Sequence, residues 1–553
     1  MSLQLEPSSR ARWLYVGLAA LVGVVWLATL DGRPLFNPDE GRYAEIPREM
    51  ASGGDWVIPH LNGLDYIEKP PLQYWATAAT YRLLGVSEFS ARLYTALTAL
   101  AAIVLIGFLA GRLWDSTTGW RAAAVLSGMF MFVVLGQLMT LDMSLTFWMT
   151  ASLVGFLLAQ QAKTGQPAKT NERGWMLIAW AAAALGVLTK GLVAAAIPAA
   201  VLVIYSLWAR DFTPWRKLHA AWGLPLFLII AAPWHWLAAR RLDDFLQFFF
   251  VHEHFARYLT PIADRQEAWW FFGYVFLVGT VPWTVPALRV LASGWRARAP
   301  RGEFSPTLFL WIWVVFICVF FSLSDSKLMP YILPAMPALA PLIAALPSQT
   351  LKKDFLITAI LTTAAALALG AATVAIVKLL PDSDRRPYFL LLAKPLREAA
   401  ALLLVSGAYV WVQGARDVTR AGLVLGVGWC LAVLLLIRSA SVLAPIYSGI
   451  DLAAALPAAD RAAPLYSVRS YDQSLTFYLQ RTVMLVGYRG ELEYGLRRAP
   501  DREITQDEFP AVWNSQPKAY AVMDKRTFNT LKEHGVPMRT VGQNVDHVMV
   551  ARQ

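Results

Sequence analysis

Runs of about 20 apolar residues recur along the first 440 positions, and they constrain the fold more than any other feature. A helix crosses the roughly 30 Å hydrocarbon core of a bilayer with about 17–25 apolar residues. Such runs fall near 12–30, 93–111, 121–140, 143–161, 174–189, 191–208, 218–238, 269–292, 305–323, 328–347, 355–378, 399–413 and 420–441. The expectation is an α-helical polytopic membrane protein with about thirteen transmembrane helices. Charged residues make up 16% of the chain, against about 25% in soluble domains. That composition excludes a soluble enzyme, a disordered chain and a disulfide-stapled secreted domain. Cys318 and Cys430 both lie inside apolar runs, outside any CxxC or Cys/His cluster, so no disulfide and no thiolate metal site is expected. The first run follows Arg10 and Arg12, is long enough to span, and has no small-residue cleavage site after it. It reads as an anchor rather than a signal peptide.

Residues 70–86 decide the topology. They are moderately apolar, and if they crossed there would be fourteen spans. Left on the outer side, they place Arg112 and Arg121, then Lys163, Lys169 and Arg173, then Arg210, Arg216 and Lys217 in inner loops. Arg296, Arg298 and Arg301, then Lys352 and Lys353, then Arg416 and Arg420 follow on the same side. Letting 70–86 cross would reverse all of them. Inner loops are enriched in Lys and Arg, so thirteen spans with an inner N-terminus are selected. Residues 31–92, 239–268, 324–327, 379–398 and those after 441 then face outward, which in a bacterium is the periplasm. The formal net charge of +11 therefore reads as loop topology, not as a nucleic-acid footprint.

The sequence divides into a membrane domain, 1–441, that includes the outer loop 31–92, and a periplasmic domain, 442–553. The latter carries strand patterns at 463–469, 482–487, 518–524 and 547–553, with a helical stretch at 525–534 between them. Strands alternating with helices predict a small α/β domain. It holds no phosphate-binding Gly loop, no GxSxG and no metal-ligand spacing.

Charges at a membrane surface are costly and point to function. The first outer loop contains NPDEGRYAEIPREM, helical from Asp39 onward with Asn37-Pro38 as its entry turn. Asp39, Arg42 and Tyr43 share a face through i, i+3 and i+4 spacing. Glu45, Arg48 and Glu49 read as solvated charges on another side. The loop continues into YIEKPPLQYW, where Tyr66, Glu68 and Lys69 precede two prolines that hold them in an extended turn. Asp142, Lys190, Asp325, Lys327 and Tyr331 fall at three further outer turns. Residues 241–260 carry His252, Glu253, His254 and Arg257. His252 and His254 are two apart, the wrong spacing for a same-face metal pair, so a metal at His252 needs a partner such as Glu68. Together these residues predict one outward cavity lined by acids and bases, suited to a lipid phosphate.

The stretches NPDEGRYAEIPREM, YIEKPPLQYW, the TKG turn, HFARYL and SDSKLMPYILPAMPALA resemble the aminoarabinose lipid A transferases. These belong to the protein O-mannosyltransferase-like superfamily with the GT-C fold. The resemblance covers about 1–345 with specific motifs. It implies transfer of 4-amino-4-deoxy-L-arabinose from undecaprenyl phosphate to lipid A phosphate at the bacterial inner membrane, with resistance to polymyxin and other cationic peptides. It also implies a divalent cation, zinc or similar, near Glu68 and His252. Asp39, Arg42 and Asp142 are the expected catalytic residues. Tyr66, Glu68, Lys69, Lys190, Arg257, Lys327 and Tyr331 are the expected substrate contacts, with surrounding membrane lipids as further partners. A protein O-mannosyltransferase-like enzyme would need Asp39 as a base for a hydroxyl acceptor. A lipid transporter or flippase would place its charges at mid-membrane and carry inverted repeats, which the sequence lacks. An envelope scaffold would survive Lys69→Ala.

Overall fold

The computed structural model describes residues 9–161, 171–256, 266–297, 303–414 and 416–552. They fall into two compact units. One joins Met1–Thr29, Tyr94–Ala372 and Pro395–Leu436, and the other joins Leu30–Leu93, Thr373–Lys394 and Ile437–Gln553.

The chain is a polytopic helical membrane protein. Among the described residues, five helices are long and apolar enough to cross a bilayer: Glu88–Leu113, Leu141–Gln160, Ala220–Arg241, Ser348–Leu379 and Val418–Tyr447. Shorter apolar helices lie at Trp13–Ala28, Val193–Ala209, Pro306–Ser322 and Met329–Ala344. The thirteen runs are not thirteen uninterrupted helices. The run 121–140 divides into Ser116–Gly128 and Phe130–Leu135. The run 269–292 divides into Phe271–Gly279 and Thr284–Ser293. Met129 is extended between the first pair (φ −69°, ψ 123°), and the Phe130 N–H donates to the Val281 carbonyl at 2.9 Å, beside Pro282 in the second break. Freed backbone groups at membrane depth need partners inside the protein, and these two breaks supply each other.

Residues 399–413 belong to the 21-residue helix Ala393–Gln413, about 31 Å long at 1.5 Å per residue. Residues 70–86 form the 13-residue helix Leu72–Leu84. At about 20 Å it is too short for the bilayer core, in line with its reading as a segment that does not cross.

The second unit is built on a sheet. After a small hairpin, β1 (His60–Leu61) and β2 (Leu64–Asp65), come β3 (Leu465–Val468), β4 (Met484–Val486), β5 (Glu503–Ile504), β6 (Tyr520–Asp524), β7 (Met538–Gln543) and β8 (His547–Arg552). The last six order as β5-β4-β3-β6-β8-β7. The β5-β4-β3-β6 pairings are parallel, and β6-β8 and β8-β7 are antiparallel. Alternation along β6 and β8 separates two cores. Ala521, Met523, Val548 and Val550 join Phe509 and Trp513 on one face. Tyr520, Val522, Met549 and Ala551 join Ile46, Met50, Leu61, Leu64, Tyr66 and Tyr74 on the other. The first loop and the C-terminal strands thus share one core. Gly41 marks how closely they pack, since a Cβ there would lie 2.5 Å from the Ser474 backbone nitrogen.

Candidate active site

The helix Asp39–Ala51 begins where the spacing predicts. Its N-terminus is fixed by charges packed away from water. Glu40 accepts from Arg33 Nη2 at 2.9 Å and from Arg92 Nε at 2.9 Å, with a further short bond from Arg33 Nη1. Arg92 also donates to the carbonyls of Leu30, Arg33 and Pro34 at 2.7–2.9 Å. Burial alone would raise the Glu40 carboxyl, but Arg33 and Arg92 overcome it and hold the group far below the usual carboxylate range. Asn37 ties the entry turn to the helix Gln473–Leu479, donating to Asp472 Oδ1 at 2.7 Å and accepting from the Ser474 N–H at 2.9 Å.

On this frame Asp39 stays exposed, its side chain 56% accessible, and accepts from Arg42 Nη2 at 2.7 Å. Arg42 is buried, donates to the Tyr66 hydroxyl at 3.3 Å and lies 5.5 Å over the Tyr43 ring. Its Nε has no hydrogen-bond partner among the described residues. Burial, with the Glu68 charge adding to it, pushes the Tyr66 phenol well above its ordinary value, so Tyr66 keeps its proton. Glu68 and Lys69 are half-buried in a bend, and Lys69 Nζ donates to the Glu68 carbonyl at 2.9 Å. Asp39, Arg42, Tyr66, Glu68 and Lys69 therefore form one constellation.

The reading of Glu45, Arg48 and Glu49 as solvated is overturned. Glu45 is fully buried and Arg48 is 6% exposed. Arg48 forks onto Glu45 at 2.6 and 2.7 Å and reaches the Gln480 carbonyl at 3.3 Å. Glu49 accepts from the Gly63 N–H at 3.0 Å. The sheet covers this helix face, which the sequence pattern of the helix alone does not reveal.

A second constellation lies within the membrane unit. Asp142, in the first turn of Leu141–Gln160, pairs with Lys190, the last residue of Glu172–Lys190. Lys190 Nζ also lies 5.1 Å over the Tyr331 ring. Three sequence-distant turns meet here. Lys327 is 8% exposed and has no ionic partner among the described residues. Asp325 is exposed.

His252 belongs to the π-helical stretch Gln247–Ala256, with its side chain outside the described residues, and Arg257 lies outside them altogether. Among the described residues no three His, Cys, Asp or Glu groups cluster to hold a metal. Residues that sequence reasoning missed include Arg33, Arg92, Tyr74, Tyr488 and Glu491. Arg92 carries the one legible signal, an arginine set directly before the apolar run 93–111.

Residues 15–249 match the family described as dolichyl-phosphate-mannose-protein mannosyltransferase, and residues 452–552 match the aminoarabinose transferase C-terminal domain. The archaeal oligosaccharyltransferase of Archaeoglobus fulgidus superposes with a TM-score of 0.50 at 12% identity over 94% of this chain and 70% of that one, a likeness of fold alone. The fold is thus that of the GT-C membrane glycosyltransferases. ArnT from Cupriavidus metallidurans, in a crystal structure bound to undecaprenyl phosphate, superposes with a TM-score of 0.89 at 34% identity over 99% of this chain and 98% of that one. The chain belongs to the ArnT family of aminoarabinose transferases. The undecaprenyl phosphate-alpha-4-amino-4-deoxy-L-arabinose arabinosyl transferase of Aeromonas salmonicida is 37% identical over 340 residues. That alignment spans 59% of each protein, so the chain matches about three fifths of the length of its curated relatives.

Proposed function

We propose that this protein transfers 4-amino-4-deoxy-L-arabinose from undecaprenyl phosphate to phosphate groups of lipid A. The reaction would take place at the periplasmic face of a bacterial inner membrane. The observation that carries this reading is the full-length match to ArnT. The two constellations fit it chemically. The bond between the anomeric carbon and the undecaprenyl phosphate oxygen breaks, and a lipid A phosphate oxygen takes its place. The leaving phosphate needs cations, for which the sequence offers Lys69 and Arg257, with Tyr331 as a hydrogen-bond partner. The acceptor phosphate, with a second pKa near ~6, is already an anion at neutral pH and needs no strong base. Asp39, accessible and oriented by Arg42, would place the acceptor and stabilise positive charge developing at the anomeric carbon, with Tyr66 and Glu68 beside it. Asp142 and Lys190 neutralise each other and would hold three turns around the donor phosphate. A cationic sugar on lipid A lowers its attraction for polymyxin and other cationic peptides.

The purified protein, given the aminoarabinosyl lipid and lipid A, should yield lipid A heavier by one pentosamine on mass spectrometry. Label on a peptide acceptor instead would favour the O-mannosyltransferase reading, for which the match over residues 15–249 is the supporting observation. Asp39→Asn separates the two readings, with a partial loss for a phosphate acceptor and a near-total loss for a hydroxyl. A divalent cation at Glu68 and His252 is a separate proposal, and the steps above run without it. Metal analysis of the purified protein, compared with Glu68→Gln, tests that idea directly.

A further inference from the structure

Three helices of the membrane unit converge on a guanidinium that has no carboxylate. They are Ser9–Ala28, Ser116–Gly128 and Val418–Ser439. Tyr15, Ala124 and Leu423 form one buried cluster among them, with Trp120 packed against it. The Tyr15 and Trp120 rings lie 5.6 Å apart. Two of the helices touch at glycines, since a Cβ on Gly128 would lie 2.6 Å from the Gly426 Cα. In this frame Arg121 is half-buried and donates from Nε to the Thr419 hydroxyl at 2.8 Å. Arg121 and Arg420 are both near enough to act through space on the Tyr15 hydroxyl. The nearby acids are committed elsewhere. Asp417 pairs with Arg420 at 3.1 Å. Asp115 caps the helix Ser116–Gly128, accepting from the Thr118 N–H and the Thr118 hydroxyl at 2.9 Å each. Among the described residues no carboxylate comes within ion-pair distance of Arg121.

The loop charges assign these helix ends to the inner side. Arg121 follows the first helical residue, Ser116, by about 7–8 Å along the axis. The headgroup layer on each side of the hydrocarbon core is about 5–7 Å deep, so the guanidinium stands at its base. Trp13, 75% exposed and two residues before Tyr15, is placed as an interfacial tryptophan would be. A guanidinium at that depth loses much of its water, and the bond to Thr419 holds it there. What it lacks is an anion, and the anions of that layer are lipid phosphates. We propose that Arg121 and Arg420, with the Tyr15 hydroxyl, bind the phosphate of an anionic phospholipid of the inner leaflet, and that this lipid clamps the three helices together. A zwitterionic headgroup would bring an ammonium of its own against the two guanidiniums. The site shares no residue with the two constellations described above, and it stands whichever sugar the protein transfers.

The test uses the full chain in a neutral detergent, delipidated and then titrated with dioleoylphosphatidylglycerol, dioleoylphosphatidylcholine or inorganic phosphate. Thermal unfolding followed by tryptophan fluorescence should show Tm rising by about 3–5 °C with phosphatidylglycerol and far less with the other two. Native mass spectrometry should show one phosphatidylglycerol retained per chain. Arg121→Gln should abolish the gain in Tm and the retained lipid. Arg121→Lys keeps the charge without the planar fork, and should raise the lipid concentration for half the gain about tenfold. It also keeps the test open if the Gln variant folds poorly. Arg173→Gln, on another inner loop, should behave as the wild type. An equal gain from phosphatidylcholine would show a general lipid effect and overturn the proposal. An equal gain from inorganic phosphate would assign the site to a free anion and overturn the lipid. A phosphatidylglycerol gain that survives in both Arg121 variants would place the lipid elsewhere, and the proposal falls.

Discussion

The helix Asp39–Ala51 and the helix ends at Asp142 and Lys190 both carry charge, yet they treat it differently. In the first, Arg33, Glu40 and Arg92 have side chains 1–4% exposed, and each oxygen of Glu40 meets a guanidinium. In the second, a single pair stands 18% and 14% exposed, with one tyrosine ring beside it. A buried charge network with every partner in place fixes backbone, because loss of one member leaves another charge stranded away from water. A pair that water still reaches can lose a member and remain solvated. The first region is therefore built to hold a loop rigid, so that Asp39 projects from it. The second is partly open, as its proposed place beside the donor phosphate requires.

The strongest way to break this contrast is Arg92→Ala. It removes donors from both Glu40 oxygens and from three carbonyls, and should destabilise the protein by about 3–5 kcal/mol. Thermal unfolding followed by tryptophan fluorescence should show a large drop in Tm. Arg92→Lys should not rescue it, because an ammonium lacks the planar fork that meets five acceptors at once. A wild-type Tm in Arg92→Ala would remove the claim that this network holds the loop. Lys190→Met comes next. Its expected effect is on turnover, with kcat/KM down about 10–100-fold, or about 1.4–2.8 kcal/mol of transition-state stabilisation. Its Tm should move far less than that of Arg92→Ala. If both variants lose stability equally, the two regions do not differ as argued.

Much of the architecture was legible from sequence because it rests on local signals. Apolar run lengths gave the membrane helices, and period-2 alternation located β3, β4, β6 and β8. The polar strand β7 (MRTVGQ) and the two-residue β5 escaped, since neither alternates and their pairing comes from neighbours. Broken helices also escaped, because hydropathy reports depth and not continuity. In the site, the Asp39–Arg42 pair was readable from i, i+3 spacing. The burial of Glu45 and Arg48 was not, because it depends on a sheet more than 400 residues downstream. Glu491 had no local signal at all.

Glu45 offers the finest test of the contrast. Burial first pushes its carboxyl up, Arg48 reverses only part of that rise and Glu49 adds to it, so its pKa stands at about 8 against an ordinary 4.5. Two buried carboxyls beside one guanidinium thus keep a proton that the unfolded chain gives up. Between those two values the folded state binds more protons than the unfolded one, so stability falls as pH rises, by at most about 1.4 kcal/mol per pH unit. Glu45→Gln is permanently neutral. It should match the wild type near pH 5, where Glu45 is protonated in the fold, and exceed it near pH 8. Tm measured from pH 5 to 8.5 should therefore fall more steeply for the wild type than for Glu45→Gln. Lys190→Met should keep the wild-type slope, because the Asp142 site contributes nothing to this proton. Parallel curves for wild type and Glu45→Gln would show that the buried helix face holds no such proton.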